Sequence, residues 1–223
     1  MIIEERAYAR AGLLGNPSDG YFGKTISIAI KNFGAWVTLY ESPELRIEAD
    51  PEDINEFPSM SSLIERIELH GYYGGERLIK ATIKKFNEYC IIQGKTLQNK
   101  NFTIRYRSTI PRQVGMAGSS AIITATMSAL MKFYEVEIPK ATLPTLILSV
   151  ETDELGINAG LQDRVIQVYG GCVYMDFDEE KFKKVNHGVY ESLTPQFAGN
   201  LFIAYKEELG KVSGAVLNDI FVR

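Results

Sequence analysis

The sequence predicts an α+β fold. Three observations carry this. The first fifty residues read as β, the middle of the chain switches to helical spacing, and strand-like runs return near the end. Taken in order, Ile2–Tyr8 and Thr25–Ile30 read as strands around a turn-rich loop, "GNPSDGYFG". Gly34–Tyr40 and Glu44–Ala49 alternate apolar and polar residues about the turn "ESP". Helical spacing follows over Pro58–Tyr73 and Glu76–Gln93, with "YYGG" between them. In the second helix Leu78, Ile79, Ile83, Phe86 and Cys90 make one stripe. Phe102–Ser108 alternates as a strand. The junction "PRQVGMAGSSA" then enters a helix reaching about Tyr134, apolar nearly all round and so expected to be buried. Pro139–Glu154 reads as a helix with Pro144 in its first turn. "QDRVIQVYGG" reads as another, ended by its glycines. Cys172–Phe177 and Leu201–Tyr205 read as strands.

Composition narrows the function. The chain has 223 residues, room for one large domain or for one domain and part of a second. With 45% hydrophobic and 23% charged residues it is suited to a globular fold, and the formal net charge is −4. No block of Lys or Arg forms a nucleic-acid footprint, so no nucleic-acid partner is expected. Cys90 and Cys172 sit in apolar surroundings and read as buried thiols of a reducing compartment. The N-terminus lacks a secretory apolar segment and no apolar run has the length of a membrane span. The expected address is cytoplasmic, with no membrane partner; the oligomeric state is not legible.

Four stretches bear on chemistry. "GYFGKT" imitates the end of a Walker loop, but Ser18 stands where that loop needs glycine and a β-like run follows; a glycine-rich turn fits better. Pro111–Ser120 is an anion-site candidate. Gly115 and Gly118 allow close backbone approach, and Ser119 and Ser120 stand where a helix begins, so free amides and the positive dipole end coincide. An ordinary serine-capped helix start fits the same spacing. "SVETDELGINAGLQDR" gathers Glu151, Asp153, Glu154 and Asp163 near two helix ends, where one carboxylate can bind Mg²⁺ and another accept a proton. A solvated acidic helix end, and a surface ion pair of Asp163 with Arg164, are the plain alternatives. In "ARAGLLGNPSD", Arg10 leaves a strand and can neutralise phosphate or hold a carboxylate, while Asn16, Ser18 and Asp19 either bind hydroxyls or build a turn.

Together and in this order, "ARAGLLGNPSD", "PRQVGMAGSSA" and "GLQD" resemble the motifs of the GHMP kinases, with Met116 and Ala117 replacing leucine and glycine of the second motif. Within that superfamily the chain is most similar to the plant-type glucuronokinases, through "YARAGLLGNPSD", "YYGGERL", "IPRQVGMAGSSAI" and "LQDRVIQVYGG". The resemblance implies a ribosomal protein S5 domain 2-like domain with a left-handed βαβ crossover over residues 1–195. The start of a ferredoxin-like C-terminal domain, truncated, is implied over 196–223, with the change near Ser192–Asn200. It implies ATP-dependent phosphorylation of a sugar's anomeric hydroxyl, glucuronic acid foremost. The alternatives are a catalytically impaired sugar or nucleotide sensor, or a kinase of galactose or mevalonate. By the same resemblance, Pro111, Gly115, Met116, Ala117, Gly118, Ser119 and Ser120 bind ATP, Ser120 and Glu151 hold Mg²⁺, Asp163 takes the proton with Arg10 beside it, and Asn16 and Asp19 hold the sugar.

Overall fold

The computed structural model describes residues 1–48, 59–61, 64, 74–196 and 201–205. Among these residues six strands form one sheet in the order β3-β4-β2-β5-β6, with β1 also paired to β2. The strands are β1 (Ile2–Leu14), β2 (Lys24–Ser42), β3 (Arg46–Glu48), β4 (Asn101–Ser108), β5 (Cys172–Asp176) and β6 (Val189–Leu193). The α-helices lying wholly within the described residues are α1 (Gly75–Ile92), α2 (Gly118–Phe133), α3 (Leu143–Ser149), α4 (Gln162–Tyr169) and α5 (Glu179–Val185).

β2 organises the sheet. Its first part pairs with β5 from Lys24↔Asp176 to Ile28↔Cys172, and its second part with β4 from Ala35↔Ser108 to Ser42↔Asn101. β1 lies antiparallel along both parts, from Ile2↔Tyr40 to Leu14↔Ile26, with register shifts at Tyr8/Ala9 and Gly12/Leu14. The expected strands Thr25–Ile30 and Gly34–Tyr40 are thus one strand, with "KNF" at an irregularity in its pairing with β1. Arg10 likewise lies inside β1 and not beyond its end. β3 and β4 are parallel neighbours, and α1 lies in the connection between them, so the three form a βαβ unit.

One face of the sheet is covered. Ile3, Ala7 and Ala9 of β1, Ala35, Val37 and Leu39 of β2 and Ile104 of β4 are buried in one core with α1 and α2. Alternation puts Ile2, Glu4 and Arg6 on the opposite, exposed side of β1. Along α2, Ala121, Ala125 and Ala129 recur every four residues and are fully buried, a small-residue stripe that permits close approach. At its far end Phe133 meets Phe102 edge to face, with ring centroids 5.4 Å apart. The expected all-round burial of this helix is therefore seen.

Gly75 opens α1 under an aromatic ring. Its N–H donates to the Tyr106 hydroxyl at 3.1 Å, and a Cβ there would come within 2.1 Å of that ring. The expected helix Pro139–Glu154 is in fact α3 followed by a π-helical turn, Val150–Glu154. Among the described residues Leu201–Tyr205, expected as a strand, has no strand pairing. The helix expected over Pro58–Tyr73 lies almost wholly outside the described residues, as does most of 196–223. Among the described residues no helix is long and apolar enough to cross a membrane.

Candidate active site

The junction between β4 and α2 is a tightly curled loop. Gln113, Gly115 and Ala117 have φ of +59°, +76° and +64° before α2 begins at Gly118. The first amides of a helix have no intrahelical partner, and α2 carries no acidic residue in its first turn to occupy them. The carbonyl of Ala117 is a hub: it accepts from Gln167 Nε2 at 2.8 Å, Ser120 Oγ at 3.2 Å and Ala121 N at 3.2 Å. Gln167 also donates to the Tyr8 carbonyl at 3.3 Å, so α4 ties the loop to β1. Arg10 N donates to Met116 O at 3.3 Å from the same strand.

Ala117 holds a left-handed conformation that a Cβ disfavours by about 1 kcal/mol or more. Ala117→Gly removes the penalty while keeping the carbonyl hub. We expect its melting temperature to rise by about 2–4 °C; a lower value would mean that the alanine methyl packs usefully here.

The carboxylates converge on this loop from two elements. Asp163, in the first turn of α4, accepts from Arg10 Nε. Glu151, in the π-helical turn, accepts from Ser119 Oγ at 2.8 Å and from a terminal nitrogen of Arg164. Glu151 and Arg164 are 2% and 3% exposed at their side chains. The other terminal nitrogen of Arg164 donates to Gly160 O at 2.6 Å and lies 3.5 Å from Asp163 Oδ2. Burial, with Arg10 nearby, pushes the Arg164 guanidinium down to about 9, against the opposing pull of Asp19. Asp153 and Glu154 face away, toward Lys84 and Lys85 of α1. The hydrogen bond from Lys84 holds Glu154 below the usual carboxylate range.

Asp19 reaches the same region from the loop after β1. Its Oδ2 accepts from Gln162 N at 3.0 Å. A Cβ at Gly160 would lie 2.2 Å from that oxygen, so a side chain there would displace the Asp19 carboxylate. The Gln162 side chain donates to Ser27 Oγ at 2.8 Å, fixing α4 to β2. Asn16 flanks Gly12, whose Cβ would meet both Asn16 and the Gln162 amide at 2.9 Å.

Burial raises the Asp19 carboxyl above its ordinary 3.8, outweighing the Gln162 amide and Arg10; neighbouring Asp163 adds to the rise. A raised carboxyl contributes stability that is present at low pH and lost as pH climbs through the folded value. Asp19→Asn keeps an acceptor for Gln162 N and does not ionise. It should therefore gain more in melting temperature at pH 7 than at pH 3, and an equal gain at both would contradict this.

The structure thus brings together Arg10, Asp19, Glu151, Asp163, Ser119 and the 115–120 loop. Asn16 stands at the margin, exposed, and Pro111 lies half-buried at the start of the loop. Ser120 is fully buried and turned back onto Ala117, so Ser119, not Ser120, contacts Glu151. Arg164, for which a surface ion pair with Asp163 was the plain alternative, is buried and pairs chiefly with Glu151. Lys24 and Thr25 begin a strand, so the Walker-like string is a turn. Gln162 and Gln167 carried no sequence signal beyond their place beside Asp163 on one short helix.

Residues 77–171 match the family described as the GHMP kinases N terminal domain. The fold agrees with that match, and this stretch carries a GHMP kinase N-terminal domain. It is similar in particular to two Arabidopsis thaliana proteins, probable glucuronokinase 2, at 48% identity over 222 residues, and glucuronokinase 1, at 46% over 220. Each alignment covers 96% of this chain and 60% of the relative, so the chain spans about 60% of the length of these relatives. Among solved structures, a D-glycero-D-manno-heptose 1-phosphate kinase from Bacteriodes thetaiotaomicron superposes with a TM-score of 0.65 at 20% identity, over 88% of this chain and 61% of that one. Lactococcus lactis galactokinase complexed with galactose gives 0.64 at 18%, over 85% and 46%. At these identities the likeness is one of fold.

Proposed function

We propose that this chain is the nucleotide- and sugar-binding part of an ATP-dependent sugar kinase acting on the anomeric hydroxyl of glucuronic acid. The observation that carries the proposal is the Arg10–Asp163 pair, held beside the amide-rich loop by the Arg10 N to Met116 O hydrogen bond. Identity of 48% to a probable glucuronokinase supports the acceptor. Residues 1–195 form the first domain in this proposal, and 196–223 begin a second.

The loop from Gly115 to Ser120 receives the ATP phosphates at the N-terminus of α2, where amides and dipole favour negative charge. Asp19 and Asn16 place the sugar. Asp163 takes the proton of the anomeric hydroxyl as its oxygen bonds to the γ-phosphorus; the bond from that phosphorus to the β,γ-bridging oxygen breaks and ADP leaves. Arg10 orients Asp163 and offsets charge on the transferring group. Placement and electrostatics of this kind carry most of phosphoryl transfer.

Magnesium commonly accompanies ATP, and the resemblance assigns it to Ser120 and Glu151. Those residues do not present an open donor set. The Ser120 hydroxyl is buried on Ala117 O, and both Glu151 oxygens are engaged, by Ser119 and Arg164. No step here is routed through the metal.

The test is turnover with ATP across glucuronic acid, galacturonic acid, galactose, mevalonate and homoserine, using the protein at its full native length. Glucuronic acid should give the highest kcat/KM. Preference for a non-sugar acceptor would remove the acceptor assignment, and ATP binding without any turnover would favour a sensor.

A further inference from the structure

We infer that Glu151 is the counter-ion of Arg164 and not a metal ligand: the guanidinium takes the place on this carboxylate that a divalent cation would need. The inference rests on the kinase proposal only for its interest, since its argument is geometric. A carboxylate that holds Mg²⁺ must turn at least one oxygen toward the phosphates and water. Here one oxygen accepts from Ser119 Oγ at 2.8 Å and the other from Arg164, and the side chain is 2% exposed.

Arg164 is built into that position. It follows Asp163 on α4, it is held by Gly160 O at 2.6 Å, and it stands 3.5 Å from Asp163 Oδ2. One fixed cation therefore serves two carboxylates and joins the π-helical turn, the 156–161 loop and α4. Through Ser119 the same contact reaches the first turn of α2. Arg164 is thus a positioning residue, setting Asp163 against the phosphate loop. A metal accompanying the nucleotide would be held by phosphate oxygens and water.

The chemistry makes a specific demand. Without Arg164, the Glu151, Asp163 and Asp19 carboxylates share a region in which Arg10 is the remaining arginine of the cluster. That is a donor set for a hard divalent ion. Mn²⁺ alone, without nucleotide, is the probe, its free form counted by electron paramagnetic resonance. With Arg164 present, Glu151→Gln should change Mn²⁺ affinity by less than about twofold. In an Arg164→Met background the same substitution should lower it tenfold or more. Arg164→Lys, which keeps a cation on Glu151, should resemble the parent, and this comparison with Arg164→Met decides the matter if Glu151→Gln fails to fold. A tenfold loss on Glu151→Gln with Arg164 in place overturns the inference. So does an Arg164→Met protein that binds Mn²⁺ no better than Arg164→Lys. Binding of ATP in EDTA is measured separately; its failure counts against the kinase proposal and leaves the manganese comparison standing.

Discussion

Asp163→Ala is expected to lower phosphoryl transfer by about 10²–10⁴-fold, the usual worth of one proton-transferring group. ATP affinity should stay within a few-fold, because Asp163 bonds to Arg10 and not to the 115–120 loop. The loop itself is held independently, by Gln167 on Ala117 O and by Arg10 N on Met116 O. Arg10 loses its partner in this variant but stays in β1, so the fold should survive. Steady-state rates with calorimetric ATP binding separate the two effects. Near-normal turnover would show that another group takes the proton.

Glu151→Ala should destabilise the protein by about 3–5 kcal/mol. The loss is not the worth of an ion pair as such. It arises because Arg164, 3% exposed at its side chain, is left charged and buried, with Gly160 O at 2.6 Å and the more distant Asp163 Oδ2 at 3.5 Å as its remaining acceptors. Ser119 Oγ loses its acceptor as well. Replacing both members, with Glu151→Leu and Arg164→Met together, should return most of the stability, since a well-packed apolar pair often equals a buried ionic one. Urea unfolding of the single and double variants provides the comparison. A double variant as unstable as Glu151→Ala would place the loss in packing of the π-helical turn.

Which parts of the site were legible follows from how local they are. The curled loop and the start of α2 are written in consecutive residues, Gly115 to Ser120. Asp163 follows a glycine loop in the same way. Arg10 and Asp163 are 153 positions apart, and their meeting was reachable only through the resemblance. Arg164 illustrates the limit. A charged residue beside Asp163 reads as a surface partner, and only the approach of Glu151 from the preceding turn makes its burial tolerable.

The fold shows the same division. β4, α1 and α2 have strong periodicity and end within a residue or two of expectation. β2 reads as two strands because the polar Lys31 and Asn32 interrupt its apolar alternation, at the place where its sheet partners change. α5 and β6 were missed: α5 buries no residue and β6 is largely exposed, so neither displays an apolar face. Leu201–Tyr205 has apolar residues in a strand-like run but no sheet neighbour among the described residues.

The central claim is that Asp163 and Arg10 act on a sugar hydroxyl placed against the phosphates held at the start of α2. The phosphorus NMR spectrum of the native-length protein incubated with ATP and glucuronic acid tests it most directly. The account predicts a new phosphomonoester signal, split by coupling to the anomeric proton, growing in step with ADP and absent with Asp163→Ala. Release of inorganic phosphate alone, or a phosphorylated sugar formed equally well by Asp163→Ala, would contradict it.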